Sequence, residues 1–288
     1  VFVMKKAAAT LPKHFWVGLG LMSVGWLLNW QLDGLRTHVL FFPLWLGFCL
    51  TVDGVVFHRS GSSLLTRSWR RYVGLFCISA PAWWLFELLN LRTHNWLYLG
   101  REAFTSAEYA LFATINFSTV VPAVFGAAEL WWSFGFIRRL KPRGRVPIAP
   151  KNLLLYGIVG GLMLTLVLAA PRYGYPLLWT SLVFILEPIN FRIGARSLLD
   201  DLKGGDWRKV WSLWLGALTC GFCWELWNYR SYPKWVYDTP FVQFAPVFEM
   251  PLLGYLGYLP FAMELFALYH LAVFLIGSKN NYLFSEHE

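Results

Sequence analysis

The chain has 288 residues, 57% of them hydrophobic and only 14% charged, with 17 Trp and a mean hydropathy of +0.47. That balance excludes a soluble globular domain and points to a protein that crosses a membrane several times. The net charge is +9, but the basic residues gather in a few connections between apolar runs. They therefore read as topology and lipid-contact determinants, and no nucleic-acid partner is expected.

A spanning helix needs about 20 apolar residues. Runs of this kind lie at 15–30, 38–57, 73–91, 108–137, 153–170, 176–191, 210–228 and 251–277. The fourth and eighth are too long for one upright span and contain Pro122 and Pro260. Each is expected to be an interfacial or re-entrant piece leading into a spanning helix. Thr105 and Glu108 have the spacing of a capping box at the start of the fourth run. With eight spans, the N-tail and the even-numbered connections share one side. That side carries 19 of the 25 Lys and Arg, among them Lys5, Lys6, Lys13, Arg67, Arg71, Arg138, Arg196, Arg208 and Lys279. It should be the cytoplasmic side of a bacterial inner membrane, with both termini inside. No cleavable signal peptide is expected, because no small-residue cleavage site follows the first apolar run.

The chain repeats itself. Glu87-Leu-Leu-Asn90-Leu-Arg92, followed by Trp96-Leu-Tyr98, matches Glu225-Leu-Trp-Asn228-Tyr-Arg230, followed by Trp235-Val-Tyr237. Trp45, Asp53, Phe57 and Ser63-Leu64-Leu65 recur 134 residues later as Trp179, Glu187, Phe191 and Ser197-Leu198-Leu199. Trp69-Arg70-Arg71 matches Trp207-Arg208-Lys209 at 138. Ala128-Glu129-Leu130 loosely echoes Met263-Glu264-Leu265, while the first and fifth runs match poorly. The expected fold is an all-α integral membrane protein of about eight helices. Residues 1–137 and 153–288 would be two parallel four-helix repeats, joined by a basic cytoplasmic linker at 138–152. An even helix count per repeat puts their pseudo-twofold axis along the membrane normal.

A carboxylate inside a span is costly unless it is paired or faces a polar cavity. Glu87, Glu225, Glu129 and Glu264 are therefore expected to gather around the axis in the outer half, as an acid pocket. Asn90 and Asn228, one turn from the glutamates, and Arg92 and Arg230 are the expected polar partners. Local pairing of each Glu with its Arg is the alternative. Asp53 and Glu187 read as caps near the basic connections. Trp83, Trp84, Trp224 and Trp227 suit either an interface belt or the lining of a flat polyene, quinone or carbocation. The run 248–261, with Gly254, Gly257, Tyr255, Tyr258 and two prolines, suits an irregular lid over the cavity. His270 reads as a structural histidine more readily than a ligand, and Cys220 and Cys223 as packing residues. No metal or cofactor motif is present, and none is expected.

The Glu-Leu-Trp-Asn piece and the run Phe248-Glu-Met-Pro-Leu-Leu-Gly-Tyr-Leu-Gly-Tyr-Leu-Pro-Phe261 resemble a group of bacterial polytopic membrane proteins. In architecture the chain is also similar to the integral-membrane lycopene cyclases, which use membrane-embedded glutamates as acids. Their Pro-x-Glu-Glu motif is absent, so no catalytic residue carries over. The repeated glutamates themselves suggest acid-catalysed isomerisation, cyclisation or hydration of an isoprenoid lipid, with Glu225 and Glu87 as proton donor and acceptor and Glu264 and Glu129 in support. Two alternatives stand beside it. One is an accessory subunit that binds a lipid, carotenoid or quinone within a larger membrane complex. The other is a proton-coupled transporter.

Overall fold

The computed structural model describes residues 10–278 and 282–284; Lys5, Lys6 and Lys279 lie outside the described residues. In chain order the elements are α1 (Lys13–Gln31), α2 (Thr37–Ser60), α3 (Leu64–Arg67), α4 (Trp69–Thr93), β1 (Trp96–Leu99), α5 (Ser106–Phe117), α6 (Val120–Trp132) and α7 (Gly135–Arg138). Then come α8 (Pro150–Ala169), α9 (Pro171–Gly174), α10 (Leu178–Ile193), α11 (Leu199–Leu202), α12 (Arg208–Tyr229), β2 (Lys234–Tyr237), β3 (Pro246–Val247), β4 (Met250–Pro251) and α13 (Tyr258–Leu275). Short 3-10 turns occupy Arg101–Ala103, Tyr175–Leu177 and Leu252–Gly257.

The protein is mostly helical. Five stretches are long and apolar enough to cross a membrane: α2, α4, Ser106–Trp132, α8 and Leu252–Leu275. The other three long helices do not reach that standard. α10 has only 16 residues, or about 24 Å at 1.5 Å per residue. α1 begins on Lys13 and His14 and ends on Asn29, Trp30 and Gln31, and α12 carries Glu225 and Asn228.

Two of the helix contacts resemble one another. α1 lies on α2, and α8 lies on α10. Both contacts are made through glycine. A Cβ on Gly18 would come 2.8 Å from the Gly47 carbonyl oxygen, and one on Gly160 would come 2.8 Å from that of Ser181. Gly47 and Ser181 stand 134 residues apart, the repeat offset, so the two outer helices dock at equivalent points despite their dissimilar sequences. Small residues permit such backbone approach where two helices have no apolar surface to hide from water. In the centre, α12 packs on α6 and on α13, and α4 packs on α6 and on α13.

The fourth apolar run folds as α5 and α6, separated by Ser118 and Thr119. Pro122 has no N–H to offer the Ser118 carbonyl, and the break between α5 and α6 leaves the neighbouring Phe117 carbonyl and Val121 N–H to be met inside an apolar region. The Ser79 hydroxyl of α4 takes them up: it donates to the Phe117 carbonyl at 2.6 Å and accepts from the Val121 N–H at 3.0 Å. The Thr105–Glu108 capping box forms as its spacing implies. The linker is irregular from 139 to 149 and lies along 202–207, with Arg143 N–H on Gly205 and Val146 N–H on Leu202. Pro150 starts α8 and takes the end of the expected linker into the helix.

Two further matched contacts lie where the basic residues collect. Asp53 accepts from the Ser63 hydroxyl at 2.7 Å and the Leu65 N–H at 3.0 Å. Glu187 accepts from the Ser197 hydroxyl at 2.5 Å and the Leu198 N–H at 2.7 Å. These carboxylates hold the Ser-Leu-Leu turn that follows their own helix.

Candidate functional site

The duplicated signature builds two clasps at the opposite end of the helices. After α4 the chain turns back at His94 and enters β1. Asn90 Nδ2 donates to the Trp96 carbonyl at 2.8 Å, and Asn90 Oδ1 accepts from the Asn95 N–H at 2.8 Å and the Trp96 N–H at 3.4 Å. Asn228 repeats this on Trp235, at 2.7 Å to the carbonyl and 3.0 Å from the N–H. Each asparagine therefore pins the backbone of the returning strand. Alternation along the strand then turns Trp and Tyr, two residues apart, back onto the helix.

The glutamates receive them. Glu87 Oε1 accepts from Trp96 Nε1 at 2.9 Å, the Tyr98 hydroxyl at 2.6 Å and Trp83 Nε1 at 2.9 Å. Glu225 Oε1 accepts from the Tyr237 hydroxyl at 2.6 Å, the Tyr258 hydroxyl at 3.1 Å and, weakly, Trp235 Nε1 at 3.4 Å. Trp235 Nε1 makes its shorter bond, 2.8 Å, to the Tyr237 hydroxyl. Burial and the adjacent carboxylate push the Tyr98 and Tyr237 phenols well above their ordinary 10, so both remain O–H donors.

β1 and β2 pair with each other, antiparallel, with Trp96 opposite Tyr237 and Tyr98 opposite Trp235. The exchange is reciprocal: the Trp of each copy faces the Tyr of the other. An isolated ribbon of two four-residue strands is marginal. Here two asparagines and two glutamates fasten it, and it closes one end of a cavity of about 510 Å³. The walls are largely aromatic and come from α4 (Trp83), α5 (Tyr109, Phe112), α12 (Trp224), α13 (Tyr258, Phe261) and Trp179. Trp179 stacks on Trp96 at 5.8 Å, and Trp224 on Tyr258 at 5.9 Å. The run 246–257 forms a small β3–β4 hairpin and a 3-10 turn, and Met250, Leu253 and Leu256 from it complete the wall. No carboxylate is among the lining residues; Arg101 and Lys234 are the charged ones. His38 Nδ1, Asn116 Oδ1 and Thr239 Oγ1 are buried in that lining without a hydrogen-bond partner.

The residues singled out from the sequence divide accordingly. Trp83, Trp224 and Tyr258 line the cavity. Glu87 and Glu225 stand one layer behind it, screened by their tyrosines. Asn90 and Asn228 hold backbone and not carboxylate. Arg92 and Arg230 are exposed and pair with neither glutamate: Arg92 donates to the Leu168 carbonyl at 2.8 Å, and Arg230 lies over Trp30 at 5.6 Å. Trp84 reaches Thr114 at 3.0 Å, Trp227 is buried against Trp45 and Trp26, and Tyr255 donates to the Val247 carbonyl.

The four glutamates do not form one pocket. Glu129 pairs with Arg67 at 2.6 Å and accepts from the Phe284 N–H at 2.6 Å, which draws it to the basic end. Glu264 is fully buried and accepts from the Leu182 N–H of α10 at 3.2 Å, with Oε2 unpartnered. His270 is 1% exposed and holds the Phe266 carbonyl of its own helix through Nδ1. Cys220 and Cys223 are free thiols. Among the described residues no group of three or more His, Cys, Asp and Glu could hold a metal.

Trp96, Tyr98, Trp235 and Tyr237 were visible as a repeated Trp-x-Tyr, but their role as cavity roof was not. Trp179 was visible only as a repeat match. Comparison with family models, curated proteins and solved structures gives no match.

Proposed function

We propose that this is a multi-pass protein of the bacterial inner membrane whose cavity binds an unsaturated, lipid-soluble molecule of the isoprenoid, carotenoid or quinone class. In this reading all eight long helices lie in the membrane as two four-helix repeats about an axis along its normal. The basic end is cytoplasmic and the strand ribbon faces outward. The reciprocal Trp–Tyr register of β1 and β2 and the paired glycine contacts of α1 and α8 support the symmetry. The aromatic lining of a 510 Å³ cavity between the halves carries the choice of ligand, because flat conjugated molecules stack on such walls.

Binding is favoured over catalysis by Glu87 or Glu225 because neither carboxylate lines the cavity. The test is to purify the protein from its native membranes in mild detergent and extract it with organic solvent. One ultraviolet- or visible-absorbing lipid should co-purify at near stoichiometry and quench tryptophan fluorescence. Protein that carries no such lipid, and whose fluorescence is unchanged by added retinol or a short-chain quinone, overturns the reading.

A second reading has its own observation: the phenols of Tyr98, Tyr237 and Tyr258 each stand between the cavity and a carboxylate. A phenol backed by a protonated glutamic acid can give its proton to a bound polyene and take the carboxyl proton in its place, so isoprenoid isomerisation would use tyrosine as the contacting acid. It requires turnover that falls in Tyr237→Phe and Glu225→Gln alike; unchanged turnover in both removes it.

A further inference from the structure

We infer that the cavity takes an amphiphile: an apolar chain bearing an anionic oxygen head, phosphate or carboxylate, held by Arg101 and His38. The inference rests on the ligand-binding reading above and adds the chemistry of the head. A hydrocarbon alone leaves part of the lining unexplained. Arg101 lines the cavity, is exposed at its rim and has no ion-paired carboxylate among the described residues. Its guanidinium rests 4.3 Å above the Tyr109 ring, which leaves its N–H fork available. The other cation, Lys234, is already paired with Glu249.

His38 stands on the same wall. Its ring packs against Phe112 at 4.7 Å and Phe104 at 5.1 Å, and its Nδ1 is buried without a partner. Asn116 follows Phe112 by one turn of α5, and its Oδ1, an acceptor, is buried without a partner in the same lining. A guanidinium and an imidazole N–H can both donate to one anionic oxygen group. No carboxylate in the lining opposes that charge, which disfavours a cationic ligand.

The wall is also one-sided. His38 and Arg172 are equivalent by the 134-residue offset, and Arg172 lies over Phe241 at 5.7 Å and outside the lining. One head and one tail are therefore accommodated, not two heads.

The experiment is calorimetric titration of the full-length, lipid-stripped protein in detergent with farnesyl phosphate, farnesol and inorganic phosphate. Farnesyl phosphate should bind at least about tenfold more tightly than farnesol, the scale of a charge-assisted hydrogen bond. Arg101→Gln should cut that preference to about twofold or less while farnesol binding holds. His38→Gln should reduce it partly, and Arg172→Gln should leave it intact. Equal binding of the two probes, or a preference that survives Arg101→Gln, overturns the head site and leaves the cavity reading standing. Failure of both farnesyl compounds to bind removes the cavity reading as well. Inorganic phosphate binding as tightly as farnesyl phosphate identifies a plain anion site and overturns the amphiphile.

Discussion

Glu87 and Glu225 each accept three hydrogen bonds on one oxygen, and in each case two come from the Trp and Tyr of the strand that follows; the third donor differs. For Glu87 it is Trp83, one turn earlier on the same helix. For Glu225 it is Tyr258, at the start of α13. Glu225 is fully buried, and Glu87 is half-buried. The first clasp is thus a local device joining a helix to its own returning strand. The second also ties α12 to the element that follows the β3–β4 hairpin, and so holds the cavity wall closed.

The largest effect should come from removing the second carboxylate. Glu225→Ala strands the Tyr237 and Tyr258 hydroxyls, while Trp235 Nε1 keeps its bond to Tyr237, and at about 1–2 kcal/mol for each buried unsatisfied group the loss is roughly 3 kcal/mol. Glu87→Ala should cost roughly half of that, because water can reach a half-buried site. Thermal unfolding in detergent measures both. Equal losses would mean that the third donor and the burial difference do not matter.

The asparagines sharpen the comparison from the other side, since their contacts are matched. Asn90→Ala and Asn228→Ala should each cost about 2 kcal/mol, the two values agreeing closely. Because β1 and β2 pair, amide exchange should rise in both strands in either variant. Faster exchange confined to the mutated half would break the picture of a shared ribbon.

Smaller still is the third donor itself. Tyr258→Phe removes one hydrogen bond, worth about 1 kcal/mol, and Trp83→Phe removes one hydrogen bond together with part of a ring packed on Phe86, Phe117 and Phe261. Their reach should differ. Tyr258→Phe should raise amide exchange across 246–257, whereas Trp83→Phe should leave that segment unchanged.

Much of this was legible in the sequence, in a particular way. The Glu, Asn and Trp-x-Tyr positions stood out because they recur at matched spacing, and they do act together. Their partners were misread. Asn90 lies one turn from Glu87 on the same helix face, which suggested a carboxylate partner. Helical spacing carries no information about where the chain goes after His94, and the returning strand takes the asparagine. A four-residue strand of Trp-Leu-Tyr-Leu also reads as interfacial aromatics, since its alternation is too short to register as a period. Glu129 was misplaced for a related reason. Pro122 does break the helix, but Ser79 repairs the break, and the Arg67 that fixes Glu129 sits in a turn 62 residues earlier. The likeness of the α1 and α8 contacts was hidden because it is a single shared approach, Gly18 on Gly47 and Gly160 on Ser181, while α1 and α2 also meet through Gly25 and Gly54, which nothing on α8 matches.

The smallest effect lies at the end where the basic residues collect; there the first turns of α4 and α12 are met by different chemistry. Ser68 caps α4 by accepting from the Arg71 N–H at 3.3 Å. Its match at offset 138, Asp206, accepts from the Arg208 N–H at 3.0 Å and from the Arg208 guanidinium at 2.6 Å. That guanidinium holds the Asp206 carboxyl below its ordinary 3.8, and only one of the two caps can titrate. A depressed pKa gives stability that is present above the unfolded value and lost as pH falls through the folded one. Asp206→Asn should therefore lower the melting temperature by a constant small amount above about pH 5. The gap to wild type should close as the pH drops below 3.8. Ser68→Ala should give a shift that does not change with pH. Asp206 is partly exposed, so its gap should be the least of those considered, and melting curves from pH 7 to pH 3 measure it. A gap that persists undiminished at pH 3 would mean that Asp206 acts through shape and not through charge, making the two caps equivalent after all.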